Sequence, residues 1–127
     1  MTQENGASTM QIETRLSDQL ARYLDLAVAE TKLTASNMAN VDTPGYRAQG
    51  FDFDAEMRKA LAGVDAQRVE PIEAGQVDGL VSRPDGNNVS MDREGLNLAE
   101  AQLKFKTGVA LMRLENQRVM DAIHADK

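Results

Sequence analysis

The sequence predicts a mainly α-helical protein: two long terminal helices packed as an antiparallel coiled coil, joined by an irregular, partly extended middle segment. Three observations carry this. Near each end, apolar residues step by four and three over a long stretch, the spacing of a coiled-coil seam. Between them, Pro71, Gly75, Gly79, Pro84 and Gly86 leave no room for a helix of useful length. Aromatic residues are only 4% of the chain and Trp is absent, so Ala, Leu, Val and Met carry the apolar content, which suits helix–helix seams better than a globular core.

In chain order, residues 1–15 are polar and are expected to be a flexible terminus. The first helix is expected over residues 16–42. Its seam is Leu20, Leu24, Ala27, Thr31, Thr34, Met38 and Val41, with Leu16, Tyr23, Leu26 and Leu33 widening the apolar surface beyond what a two-stranded seam needs. It stops abruptly. Pro44 disfavours helical geometry at Thr43, and Thr43-Pro44-Gly45-Tyr46 reads as a type II turn with Gly45 at the positive-φ position. Asn37 and Asn40, three apart, share a face just before that stop. They are read either as exposed or capping residues, or as buried hydrogen-bonding groups that fix register between neighbours; Asn116 invites the same two readings.

The middle, residues 43–91, begins with Phe51-Asp52-Phe53-Asp54, whose alternation puts both phenylalanines on one face of an extended piece. Asp54 is the expected cap of a short helix near 54–62, ended by Gly63. Extended pieces near 68–72 and 76–81 suggest a hairpin, and Pro84-Asp85-Gly86-Asn87 a turn. The second long helix is expected over 92–124. Asn97 with Glu100 resembles a capping box, and Gly95 weakens an earlier start. The seam is Leu98, Gln102, Phe105, Val109, Met112, Asn116, Val119 and Ile123, broadened by Leu103, Leu111 and Leu114. Two helices with such wide apolar faces bury little by themselves, so other chains are expected to cover the remainder.

Composition narrows the function. The chain has 127 residues, enough for one domain; 27% are charged and no apolar run reaches membrane-spanning length, which predicts a soluble protein. A formal net charge of −6 argues against nucleic acid or an anionic membrane surface as the main partner. There is no cysteine, and the first residues have no basic or apolar region of a cleavable secretory signal. One histidine, His124, and no cysteine offer no zinc set. Asp85-Gly86-Asn87-Asn88-Val89 starts like a calcium loop, but Val89 stands where an oxygen ligand is needed, so a turn is the reading. No catalytic, cofactor-binding or metal-binding residues are assigned, and no enzyme is expected.

Residues 35–47, from Ala35-Ser36-Asn37-Met38-Ala39-Asn40 through Thr43-Pro44-Gly45-Tyr46-Arg47, are more specific than a turn requires. They resemble the signature of the bacterial flagellar rod and hook proteins. Asp85-Gly86-Asn87-Asn88-Val89, Met91-Asp92-Arg93-Glu94 and Leu98-Ala99-Glu100 look like the junction into the second helix of a short proximal member of the rod family, and Phe51-Asp52-Phe53 also suits it. Phe105-Lys106-Thr107-Gly108-Val109 departs from that member's pattern, leaving the other short rod protein, FlgC, open. The resemblance implies a structural subunit whose terminal helices line the tube of a helical assembly, the periplasm-spanning rod that transmits torque for motility. It implies as partners other copies and FlgC-type rod subunits, the adaptor FliE, the MS-ring protein FliF and the flagellar type III export apparatus. Phe51 or Phe53, with Ala55 or Met57 four residues on, is a candidate export contact; simple packing accounts for the same pair. The reading from another class is a cytoplasmic helical adaptor or secretion chaperone.

Overall fold

The computed structural model describes residues 2–63 and 71–125, with side chains from residue 15 onward. Helix α1 spans Thr2–Ala39, α2 Phe53–Ala62 and α3 Met91–Ala125. Two strands of two residues, β1 (Gln49–Gly50) and β2 (Gly75–Gln76), pair antiparallel with Gln49 opposite Gln76. The chain is mainly helical, with α1 and α3 packed lengthwise against each other. At about 1.5 Å per residue they are roughly 57 and 52 Å long.

The pairing is antiparallel. Asn37 meets Glu94, Glu30 meets Lys104, and Leu24 meets Gly108, so positions rise along α1 as they fall along α3. The face α3 turns to α1 is a row spaced by seven: Glu94, Ala101, Gly108 and Glu115, all buried. On α1 the matching row includes Ala27, Thr34 and Asn37, with Leu26 fully buried beside it. Seven-residue spacing keeps both rows in register along the supercoil. A Cβ on Gly108 would sit 2.7 Å from Leu24 Cδ2 and 3.0 Å from Tyr23 Cδ1, so this glycine, unfavourable inside a helix, is what lets the two helices approach.

Several local expectations are revised. Helix α1 begins at Thr2, so the stretch expected to be loose up to residue 15 is continuous with it, and it ends at Ala39, with turns carrying the chain through Asp42. Helix α2 is capped by Asp52, which accepts from Ala55 N at 3.0 Å, and Asp54 lies in its first turn. Phe53 is therefore helical rather than extended. Helix α3 starts at Met91 behind Ser90, whose carbonyl accepts from Glu94 N (2.9 Å) and whose hydroxyl accepts from Arg93 N (3.4 Å). Asn97 and Glu100 are interior to α3 and cap nothing. The expected hairpin does not form as drawn: Gly75–Gln76 pairs with Gln49–Gly50, and residues 68–70 lie outside the described residues.

Helix α2 docks on α1 through Glu56, buried and paired with Arg22 (3.7 Å) and Lys59 (3.3 Å). The Glu56 carboxylate raises the Lys59 pKa above its usual 10.5. Phe53 packs edge-on to Tyr23, with centroids 5.4 Å apart; Phe51 stacks against it and the Lys104 ammonium lies 4.0 Å over its ring.

Candidate functional site: a hydrogen-bonded junction between two exposed helix faces

The two motifs at 35–47 and 85–94, distant in sequence, meet at one end of the helix pair. Asn37 is buried where α1 passes β1. Its amide donates to Gln49 O (2.8 Å) and accepts from Gln49 N (2.9 Å), so the side chain pairs with β1 as a neighbouring strand would. The same Nδ2 donates to Glu94 Oε2 (3.2 Å), and Tyr46 OH donates to Asn37 Oδ1 (3.1 Å). Only an amide offers a donor and an acceptor side by side in this way. Glu94, fully buried, is held on its other oxygen by Arg93 (3.2 Å).

Asn87 does the complementary task. It is fully buried, and its Nδ2 donates to the carbonyls of Asn40 (2.8 Å), Val41 (3.0 Å) and Thr43 (2.8 Å), while its Oδ1 accepts from Val89 N (2.8 Å). Those carbonyls belong to the turns that follow the end of α1 at Ala39. Arg83 joins them, donating to Val41 O and to Val89 O. Asn88 Oδ1 accepts from Ala48 N (2.6 Å), and Asn88 N donates to Tyr46 O (3.3 Å).

The Thr43–Tyr46 turn closes with Tyr46 N donating to Thr43 O (3.2 Å) and Gly45 at φ +76°. Gly45 N donates to Asp85 O (2.8 Å), and Gly86, at φ +85°, lies so close that a Cβ on it would be 3.4 Å from Gly45 Cα. Two positive-φ glycines thus stand side by side, each in a backbone conformation that other residues rarely adopt. Arg47 donates to Ser82 Oγ and, at 3.4 Å, to Gly86 O. Pro44 is exposed at the turn's tip. Asn40 bonds locally, Nδ2 to Ser36 O (2.8 Å), and its Oδ1 accepts from Thr43 Oγ1 (3.1 Å). Asn37 and Asn40 thus spend their side-chain amides on partners within their own chain, and Asn116 is exposed.

Both motifs that carry the resemblance therefore build one junction, and its architecture can be set against known proteins. A FlgB flagellar basal body rod protein of Cereibacter sphaeroides is 32% identical to this chain across 89% of it and 99% of the relative. The chain belongs to the FlgB family of flagellar basal body rod proteins. The FlgB of Yersinia enterocolitica is 31% identical over 70% of this chain and 79% of its own length, and that of Salmonella typhimurium 29% over 79% and 86%. No family model matches the chain. Of the two short rod proteins left open by the sequence, FlgB is the one these relatives support.

In this FlgB-family chain the expected seam residues divide by burial. On α1, Ala27 is buried, while Leu20, Leu24, Thr31, Met38 and Val41 are half-buried. On α3, Leu98, Val109, Met112 and Val119 are half-buried, and Phe105 and Ile123 are exposed, with Gln102 and Asn116. The inward row of α3 lies one flank over from the expected one. A large apolar surface remains outside: Leu96, Leu103, Leu114 and Ile123 are 61%, 66%, 59% and 57% exposed. Sequence reasoning missed four residues that organise the structure: Arg83, Asn87, Glu94 and Gly108. The seven-residue row Glu94–Ala101–Gly108–Glu115 was visible in the sequence, but only to a search that admitted small and charged residues to a seam.

Proposed function

We propose that this chain is a structural subunit of the proximal rod, built by helix packing into the periplasm-spanning shaft that transmits torque for motility. The observation that carries the reading is its relation to FlgB proteins over nearly the full length of a relative. The physical support is the pair of long helices, tied at one end and still exposing leucines along α3; monomers rarely leave such surface uncovered. The subunit contacts further copies and FlgC-type rod subunits, with the adaptor FliE and the MS-ring protein FliF at its base. It is exported from the cytoplasm through the flagellar export apparatus, and Phe51 and Phe53, packed in the fold, become available to that apparatus in the unfolded chain. No catalysis, cofactor or metal enters this role.

The test is genetic. In the chain's own host with its chromosomal copy deleted, the wild-type chain restores swimming and rod-bearing basal bodies. Leu24→Asp and Val109→Asp, expressed at equal level, restore neither. Normal swimming in the deletion strain, or with both variants, would sink the reading.

A further inference from the structure

A cavity of about 530 Å³ lies next to the junction, between α1, the β1–β2 pair and the first turns of α3. Leu33, Phe51 and Val77 supply its apolar wall, and Thr34, Gln76 and Asn97 bring polar groups to it. The side chains of those three form no hydrogen bond with the described residues. Thr34 is the informative one. It is only 3% exposed, yet no side-chain oxygen or nitrogen among the described residues is sealed away without a partner. Its hydroxyl therefore keeps its access through the cavity that it lines. A helical threonine commonly bonds back to the carbonyl four residues earlier, as Thr31 does to Ala27 O at 2.9 Å. Thr34 does not, and its hydroxyl faces the cavity instead. The charges around the wall come in pairs with one left over. Glu30 is matched by Lys104 (3.1 Å), Glu73 by Lys59 (3.6 Å) and Arg93 by Glu94 (3.2 Å). Asp52, also in the wall, has no ion-pair partner among the described residues; one carboxylate oxygen accepts from Ala55 N and the other stays free.

We propose that this cavity takes an arginine side chain presented by a neighbouring chain of the rod. The inference rests on the rod reading and names what the neighbour brings to this face. A guanidinium carries one positive charge, which answers Asp52. It also carries five N–H donors in a planar fork, which serve several acceptors at once: the Thr34 hydroxyl and the amide oxygens of Gln76 and Asn97. Its aliphatic stem suits Leu33 and Val77, and its flat face suits the Phe51 ring. A lysine would concentrate three donors at one point and leave acceptors elsewhere on the wall without a partner. A carboxylate or phosphate would meet Asp52 with like charge. The chain's own cations at the wall, Lys59, Arg93 and Lys104, are already engaged by carboxylates and do not compete. An arginine held in this way would also anchor the neighbour to a rigid part of the subunit, because Asn37 and Glu94 fix β1 and the start of α3 beside the cavity.

The test begins with the full-length wild-type chain, labelled with nitrogen-15 and titrated by NMR with N-acetyl-arginine-N-methylamide. Saturable shifts are expected at the amides of Gln49, Gly50 and residues 75–77. The citrulline analogue has the same shape without the charge, and should bind at least about tenfold more weakly. Equal shifts from the two probes, or none from either, overturn the site. Two variants then locate it. Thr34→Val keeps shape and removes the hydroxyl; Asp52→Asn keeps a good N-cap residue and removes the charge. Each should weaken the arginine probe by about three- to tenfold with the melting temperature unchanged, and wild-type affinity in both overturns the assignment. Motility identifies the source. In the deletion strain, the double variant expressed at wild-type level should spread in soft agar to less than about half the wild-type diameter, since each change alone removes a share of the neighbour's hold. Probe binding with undiminished swimming of the double variant would mark a site for a free guanidinium compound and overturn the neighbouring arginine. Failure of the wild-type chain to restore swimming would overturn the rod reading and the neighbour with it, whatever the probe does.

Discussion

Asn87→Ala tests whether the junction holds the turns that follow α1. Asn87 is fully buried, and its oxygen is the acceptor for Val89 N, itself on a buried residue. Truncation leaves that N–H unpaired, at a cost of about 1–3 kcal/mol. The three carbonyls lose less, because each keeps another donor: Thr43 N for Asn40 O, Arg83 for Val41 O and Tyr46 N for Thr43 O. Loss of those second bonds is worth about 0.5 kcal/mol each, so the whole change comes to about 2.5–4.5 kcal/mol. Asn87→Asp separates the donor from the acceptor. It keeps shape and the bond from Val89 but sets a carboxylate against three carbonyl oxygens, so it should cost at least as much as Ala even with Arg83 beside it. The assay is urea unfolding followed by helical circular dichroism, in trimethylamine N-oxide so that weakened variants retain a folded baseline. With a slope of about 1–3 kcal/mol per molar urea, the midpoint should fall by roughly 2 M. An Asn87→Asp midpoint within about 0.3 M of wild type would refute the donor role.

Gly108→Ala gains about 1 kcal/mol of helix propensity, yet its Cβ would overlap Leu24 and Tyr23, so the melting temperature should fall; a rise would show that the crossing has slack. Asn37→Asp removes two donated bonds and sets a second carboxylate against Glu94, a loss of about 3 kcal/mol of which Glu94→Gln should return about 1 kcal/mol or more in a double-mutant cycle. Lys59 is stabilised in its charged form by Glu56, so that contribution holds below pH 10.5 and is lost as pH rises past the raised pKa; by NMR titration, Glu56→Gln should bring Lys59 back toward 10.5. Hydrogen exchange should run down α3, slow at 98–108 beside the junction and the Gly108 crossing and fast at 119–125, where neighbouring residues are exposed; uniform protection would contradict a pair tied at one end.

How much of this was legible depends on the range of the forces involved. The α1–α3 pair was, because a four-and-three spacing is local and survives any tertiary context. Its inward flank was not. The apolar stripes are wide enough to contain two candidate seams, and on α1 both include Ala27 and Thr34. The choice on α3 was made by Gly108 and Ala101, small enough to let the backbones close, and by Glu94 and Glu115, which a count of apolar residues passes over. The Pro44–Gly45 turn was legible because φ preferences belong to the residues themselves. The partners of Asn37 and Asn87 were not, because they lie 57 and 47 positions away. Asp52 and Asp54 are equally good caps by chemistry. The cap went to Asp52 because Phe53 is drawn onto Tyr23 and starts the helix there.

The junction also determines what the outer faces can do. Two helices held only by wide apolar stripes can slide by a heptad with little change in buried area, and each slip would shift the outer surface of α1 against that of α3 by about 10 Å. Asn37 on Glu94 at one level, and Leu24 on Gly108 two heptads further along α3, admit one register. A slip would bury Glu94 without its amide partner and press Leu24 against a residue bearing a Cβ, so both errors cost more than the apolar surface they exchange. The hydrogen-bonded end thereby phases surfaces along the full length of the pair. A subunit that repeats around a tube needs that property: identical copies fit one another only if each presents its two faces in the same phase, and small slips in each copy would accumulate around the assembly.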